Sequence, residues 1–296
     1  MPDFNRGTGL LVIEVRNSNP NGDPDQESDP RTYNDTGHGL ISPVSFKRKL
    51  RDLVAEEDGA AMELATEQLG LGDDGNEFGI LESRGRDRKA IEKMDAEAFT
   101  QAFWDGRVFG NTFLESIKGT KKKPEDIAHF ISTGTVQIGL GVSLAPVEIE
   151  RMTQTNKSGV QEGKDRGMAP LGFRVVRHGL YTMPLFVNPM MARKNGCTAR
   201  DIALLKFLLP HAYSQTASAS RPFVSVVQAW YVEHKNPLGS CPDPHLIDAL
   251  TPTYNGGPTE PSQSLADYEL KSADDLGPLA DRIESVTDLC ESMVAA

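Results

Sequence analysis

Residues 9–16 form a largely apolar run of strand length, which ends where turn formers crowd from Asn17 to Asp25. The period then changes. Ser42 is placed to cap a helix whose first position is Pro43, and Phe46, Leu50, Leu53 and Val54 recur on one face of it. Residues 58–130 are polar and irregular, helical or loop by composition and without strong strand signals, and read as an insertion. Strand character returns over 135–144 and 173–187. Between those strands, residues 156–172 are rich in Gly, Lys and Ser and read as a mobile excursion. Thr198, with Asp201 three residues on, opens a second helix carrying Ile202, Leu205 and Leu209 before Pro210. Residues 222–232, β-branched and aromatic, predict the last strong strand.

Strand, helix, strand, strand, helix, strand is an α+β order, that of ferredoxin-like and RNA-recognition-motif (RRM) folds (βαββαβ), here interrupted twice. Residues 1–57, 131–155 and 173–239 would build the common body, with 58–130 as the first insertion and 156–172 as the second. Beyond Ser240, a linker rich in Pro, Gly, Ser and Thr leads to a predicted acidic helix. Its stripe would be Leu279, Ile283, Val286, Leu289 and Met293, docked on the chain's own core.

Composition narrows the chemistry. The 296 residues carry a net charge of -11, but from Ser240 onward 11 acidic residues face only Lys271 and Arg282. The rest of the chain is nearly neutral, so net charge does not exclude a polyanionic partner. Cys197, Cys241 and Cys290 are far apart and form no CxxC pair, which speaks against a disulfide framework and a thiolate metal site. The six histidines lack metal spacing, and nucleophile-elbow and P-loop motifs are absent. No apolar run is long enough for a membrane helix, so a soluble, cytoplasmic chain without cofactor or metal is expected.

The strongest local signal is Lys47-Arg48-Lys49-Leu50-Arg51. At about 100° per residue, Lys47, Arg48 and Arg51 fall away from the apolar face and Lys49 lies to one side. Four cations in five positions repel one another, and a polyanion laid along them would relieve that repulsion. The helix follows a loop in which Asn19, Asn21 and Gly22 allow close backbone approach to a phosphate. That loop imitates half of a calcium-binding loop, yet Ser28 stands where a bidentate Glu is needed. Asp23, Asp25, Asp29 and Asp35 leave open a paired-carboxylate nuclease, against the plainer reading of turn carboxylates. From Arg151 to Arg177, six basic residues outnumber Glu162 and Asp165, which suits backbone tracking. Phe173 alone offers a stacking aromatic on the third strand, so bases would be left free.

Taken in order over residues 9–232, these segments resemble the backbone subunit of CRISPR Cascade complexes, in the type I-C branch of the RAMP superfamily. The resemblance is carried by residues 19–25, Pro30-Arg31, residues 44–51, Arg107-Val-Phe-Gly110, Gly134-Thr-Val-Gln137 with Ser143 and Pro146-Val147, Thr153-Gln-Thr155 and His178-Gly-Leu-Tyr181. It implies a modified RRM-like palm with residues 58–130 as a helical finger and residues 156–172 as a β-hairpin or flexible thumb. Copies of the chain would polymerise along one CRISPR RNA in a prokaryotic cytoplasm. The guide would pair with target DNA, alongside other Cascade subunits and a recruited helicase-nuclease. By the same resemblance Lys47, Arg48, Lys49, Arg51, Asn19, Asn21, Gly22, Arg107 and Arg174 would hold RNA. Thr153, Thr155, Lys157, Lys164 and Arg166 would serve the thumb and the neighbouring copy. The subunit would not be an enzyme; the alternative is a metal-dependent ribonuclease using Asp23, Asp25 or Asp35. The chain departs from the family at Leu171-Gly-Phe-Arg174, where a more basic run is usual.

Overall fold

A computed structural model describes residues 3–55, 59–71, 76–83, 87–91, 93–114, 129–156, 169–215 and 217–291. Eight strands make one antiparallel sheet. They are β1 (Gly7–Ser18), β2 (His38–Ile41), β3 (Val136–Ile138), β4 (Gly141–Pro146), β5 (Ile149–Asn156), β6 (Ala169–Val187), β7 (Phe223–His234) and β8 (Ile283–Asp288). The spatial order is β8-β7-β1-β6-β4-β2, with β3 and β5 also paired to β6. The helices that matter for the site are α1 (Pro43–Ala55), α2 (Ala60–Leu69), α3 (Trp104–Phe109), α4 (Ala199–Leu208) and α5 (Asp243–Leu250). Among the described residues, no helix is long and apolar enough to cross a membrane.

The apolar run Leu10–Ile13 in β1 has a simple cause: both faces of the sheet are buried there. Leu11, Ile13 and Val15 point to one side, where Phe46, Leu50 and Leu53 of α1, Ala65 of α2, Trp104 and Val108 of α3 and Leu205 of α4 complete the main core. Leu10 points to the other side and meets Trp230, Val232, Cys241, Leu246, Leu250, Leu276 and Ile283. Beside it Val12 packs with Leu180 and Tyr268. The acidic C-terminal stretch therefore roofs the second face of the sheet.

The helix starts follow their caps. The Ser45 amide donates to Ser42 Oγ at 3.2 Å, and Thr198 and Asp201 form a reciprocal capping box at the start of α4.

Four expectations are corrected. Residues 283–288 form β8, paired to β7, in place of the predicted acidic helix. Gly277, at φ +48°, and Pro278 break the preceding helical stretch, and β-branched Ile283, Val286 and Thr287 suit the open edge of β7. Asp288 fixes the register by accepting the Ala229 amide at 2.8 Å; Met293 lies outside the described residues. Second, the stretch read as 58–130 contains a hairpin, Gly110–Leu114 with His129–Thr133, and its Trp104 and Val108 belong to the main core. Gly110 and Gly134 let the hairpin root approach closely, because a Cβ on Gly134 would lie 2.2 Å from the Phe109 carbonyl carbon. Third, part of the predicted excursion 156–172 is regular strand, with Ala169–Gly172 of β6 paired to Thr153–Asn156 of β5. The single strand expected over 135–144 is two, β3 and β4.

Two buried histidines fasten the C-terminal stretch to the sheet. His178 of β6 shares a hydrogen bond of 2.8 Å with Ser262 and turns its other nitrogen toward Glu14, 3.5 Å away. His234 accepts the Ser240 amide on Nδ1 at 3.0 Å, while its Nε2 lies 3.0 Å from Thr8 Oγ and 3.3 Å from Asp243. Burial, the largest cause, lowers both pKa values despite the nearby carboxylates. The neutral rings thus stabilise the fold above the unfolded histidine value of about 6.5, and that contribution is lost as pH falls through it. The urea midpoint should drop between about pH 7.5 and about pH 5.5, and the drop should shrink in His234→Asn, whose amide oxygen can still accept but does not titrate.

Candidate nucleic-acid interface

The loop between β1 and β2 is closed by its own side chains. Asn19 donates from Nδ2 to the Ser28 carbonyl at 2.8 Å, and Asn21 accepts the Ser42 amide at 2.8 Å, tying the loop to the start of α1. Gly22 pairs with Pro30, and a Cβ there would meet the Ser28 carbonyl oxygen at 3.2 Å. Asp23 accepts the Asp25 amide at 3.2 Å and lies 3.4 Å from Arg31, so it serves the turn; Asp25 and Asp35 are exposed. Among the described residues, no three His, Cys, Asp or Glu side chains gather as a metal-binding group.

The four cations of α1 have four different fates. Arg51, 5% exposed, is buried against α3, with Nε 2.8 Å from Asp105 and Nη1 3.1 Å from Glu82. This corrects the helical-wheel expectation: α3 covers the side of α1 that was read as open. Arg48 is exposed and pairs with Asp52 at 2.6 Å. Lys47 and Lys49 are half-buried, with no carboxylate within 4.0 Å among the described residues. Lys47 Nζ stands 5.2 Å from the centre of the Phe109 ring, which Arg51 faces at 5.3 Å. Burial lowers the pKa of Lys47, helped by the charge of Arg51; burial and then the charge of Arg221 lower that of Lys49.

Arg107 is not at the interface. It is 1% exposed, and all its donors are spent. Nε and Nη2 grip the Asp201 carboxylate at 3.0 and 2.8 Å, Nη1 donates to the Thr100 and Gln101 carbonyls at 2.8 and 2.7 Å, and Nη2 also reaches the Glu77 carbonyl at 2.9 Å. Arg174 is also engaged: it pairs with Glu27, lies 3.3 Å from Asp29 and donates to the Glu27 carbonyl at 2.6 Å. With Arg151, which pairs with Asp29, it fastens the β5–β6 arm to the loop. Thr153 is exposed on β5, and Thr155 pairs with Pro170 across the arm. Lys157, Lys164 and Arg166 lie outside the described residues.

The structure therefore ties the loop of Asn19, Asn21 and Gly22 to the start of α1, leaves Lys47 and Lys49 half-buried on that helix and removes Arg51 and Arg107 to the interior. It adds cations that sequence reasoning passed over. Arg221 donates to the Asn19 carbonyl at 2.9 Å, and its charge reaches Lys49. Arg16, at the end of β1, is exposed and overlies Phe223. Half-buried ammonium groups crowded by guanidinium groups gain most from a neighbour that supplies negative charge without a proton, which is what a phosphodiester does.

The sequence model of the family described as CRISPR-associated protein Cas7 matches residues 5–273. A CRISPR-associated protein Cas7 of Haloferax volcanii is 27% identical over 251 residues, 75% of this chain and 68% of the relative. A chain of a solved CRISPR RNA-guided surveillance complex in a pre-nicking state is 14% identical with a TM-score of 0.46, covering 77% of this chain and 78% of its own. A chain of another CRISPR RNA-guided surveillance complex is 14% identical with a TM-score of 0.43, over 85% and 77% respectively.

The different fates of the arginines are separable by mutation. Arg107→Ala leaves Asp201 charged and unpaired in the interior and should cost about 3–5 kcal/mol in urea unfolding. Arg48→Ala removes only an exposed pair and should stay within about 0.5 kcal/mol of the parent.

Proposed function

The chain belongs to the CRISPR-associated protein Cas7 family, and on that premise we propose that it is a backbone subunit of a type I Cascade complex, in the type I-C branch. In this reading copies of the chain polymerise along CRISPR RNA and present the guide for pairing with target DNA, in company with other Cascade subunits and a recruited helicase-nuclease. Sequence specificity then resides in base pairing, and the protein contributes shape and charge. The subunit is non-catalytic and works in a prokaryotic cytoplasm.

The observation that carries this reading is a set of cations with no carboxylate within 4.0 Å among the described residues: Arg221, bonded to the Asn19 carbonyl of the closed loop, Lys49 in its field, and Lys47 on the same helix. The strand order β7-β1-β6-β4 supports an RRM-like palm built from residues 1–57, 131–155 and 173–239. Residues 58–130 would be the finger and 156–172 the thumb, whose base is the paired β5–β6 arm.

Co-expression with a repeat-spacer transcript tests the proposal. Size-exclusion chromatography should give a high-mass peak carrying RNA that survives magnesium uncut, whereas a protein peak free of RNA in the presence of partner subunits would overturn it. Magnesium-dependent cutting lost in Asp25→Ala would instead favour the ribonuclease reading. Lys47→Gln with Lys49→Gln should weaken RNA binding severely while leaving the urea midpoint nearly unchanged, since neither ammonium group has a carboxylate within 4.0 Å among the described residues.

The lowered lysine pKa values add a pH signature. A bound phosphate favours the charged ammonium, so RNA affinity is full below the free-state pKa of Lys47 and Lys49 and falls as pH rises through it. In filter binding the decline should begin below the ordinary lysine value of about 10.4, and Lys47→Arg with Lys49→Arg should move it upward.

A further inference from the structure

Phe223 is 56% exposed, although it opens a strand whose next residue, Val224, is buried in the main core. It sits opposite Arg16 in the β1–β7 register, and the Arg16 guanidinium lies over its ring, 5.3 Å from the centre. Leu11, Ile13 and Val15 face the helices, so alternation puts Arg16 with Leu10, Val12 and Glu14 on the opposite face. The C-terminal stretch roofs that face at Leu10, Val12 and His178, but Arg16 and Phe223 stay open to solvent. The pair occupies an uncovered corner of the sheet.

The corner is held still. The Phe223 amide donates to Ser18 Oγ at 2.9 Å, and that hydroxyl donates to the Arg16 carbonyl at 2.8 Å. Asn17, between them on β1, takes a left-handed φ of +43°. Two residues before Phe223, Arg221 is anchored through Nε to the Asn19 carbonyl at 2.9 Å, and among the described residues no carboxylate lies within 4.0 Å of it. Its charge is felt at Lys49. An exposed aromatic face beside Lys49 and Arg221, which have no carboxylate within 4.0 Å among the described residues, matches the repeating unit of a single-stranded nucleic acid, one flat base and one phosphate.

We propose that Arg16 and Phe223 form a stacking platform for one unpaired base of a single-stranded RNA, and that Lys49 and Arg221 take the phosphate beside it. The proposal rests on the RNA-binding reading above and adds a base contact to it. Neither ring nor guanidinium plane reads the Watson–Crick edge, so the platform accepts any base and leaves that edge free to pair.

The test compares two probes on the full-length protein: a fluorescein-labelled oligouridylate and the same ribose-phosphate strand without bases. Stacking of one base is worth about 1–3 kcal/mol, so Phe223→Ala should weaken oligouridylate binding by roughly 5- to 150-fold and leave abasic binding unchanged. Phe223→Trp should restore the preference for bases. Lys49→Gln with Arg221→Gln should weaken both probes and flatten the salt dependence by about 0.7 in the log–log slope, the value for one phosphate contact on a single strand. Equal binding of both probes by Phe223→Ala and wild type would overturn the platform and leave the RNA-binding reading standing. An equal loss on both probes would also overturn it, by giving the ring a structural or assembly role. Wild-type protein that binds neither probe would overturn platform and reading together.

Discussion

The Arg107–Asp201 pair is the interaction on which the rest of the site depends. A guanidinium removed from water costs several kcal/mol unless each of its donors is met, and here two go to one carboxylate and the others to three backbone carbonyls. Asp201 is at the same time the capping residue of α4, so one carboxylate ends a helix of the core and receives the insertion. The grip sets α3 in place. The last residue of α3, Phe109, is the ring between Lys47 and Arg51, so the cationic end of α1 inherits its arrangement from a contact deep in the protein.

Much of the body was legible in the chain. The apolar run of β1, the periodic face of α1, the capping box of α4 and the β-branched stretch of β7 are local signals, and local signals decide local structure. What failed was everything set by distant partners. Arg51 and Arg107 read as cations for RNA because nothing near them in sequence announces Asp105 or Asp201, which lie 54 and 94 residues away. The stripe through Ile283 and Val286 fits a helix as well as a strand, and the open edge of β7 decided between them. Arg16 and Phe223 were missed for the opposite reason. Parity along β1 would have placed Arg16 on the face away from the helices, but only the register brings Phe223 opposite it.

The C-terminal stretch also changes the meaning of the chain's net charge. Most of the acidic excess sits in the stretch that roofs one face of the sheet, while Lys47, Lys49 and Arg221, with no carboxylate within 4.0 Å among the described residues, lie on α1 and just before β7. A protein with a net charge of -11 can still attract a polyanion locally, because screening limits each surface charge to a range of about 8 Å at physiological salt.

One consequence of β8 concerns the company a protein keeps. Without it, the outward backbone groups of Trp230–His234 in β7 would be bare, a template on which a foreign strand could settle. β8 covers that half of the edge with six residues that carry Glu284 and end on Asp288, a short and charged border. Along it, molecules crowded together meet charged side chains before they meet backbone, so proximity need not become precipitation.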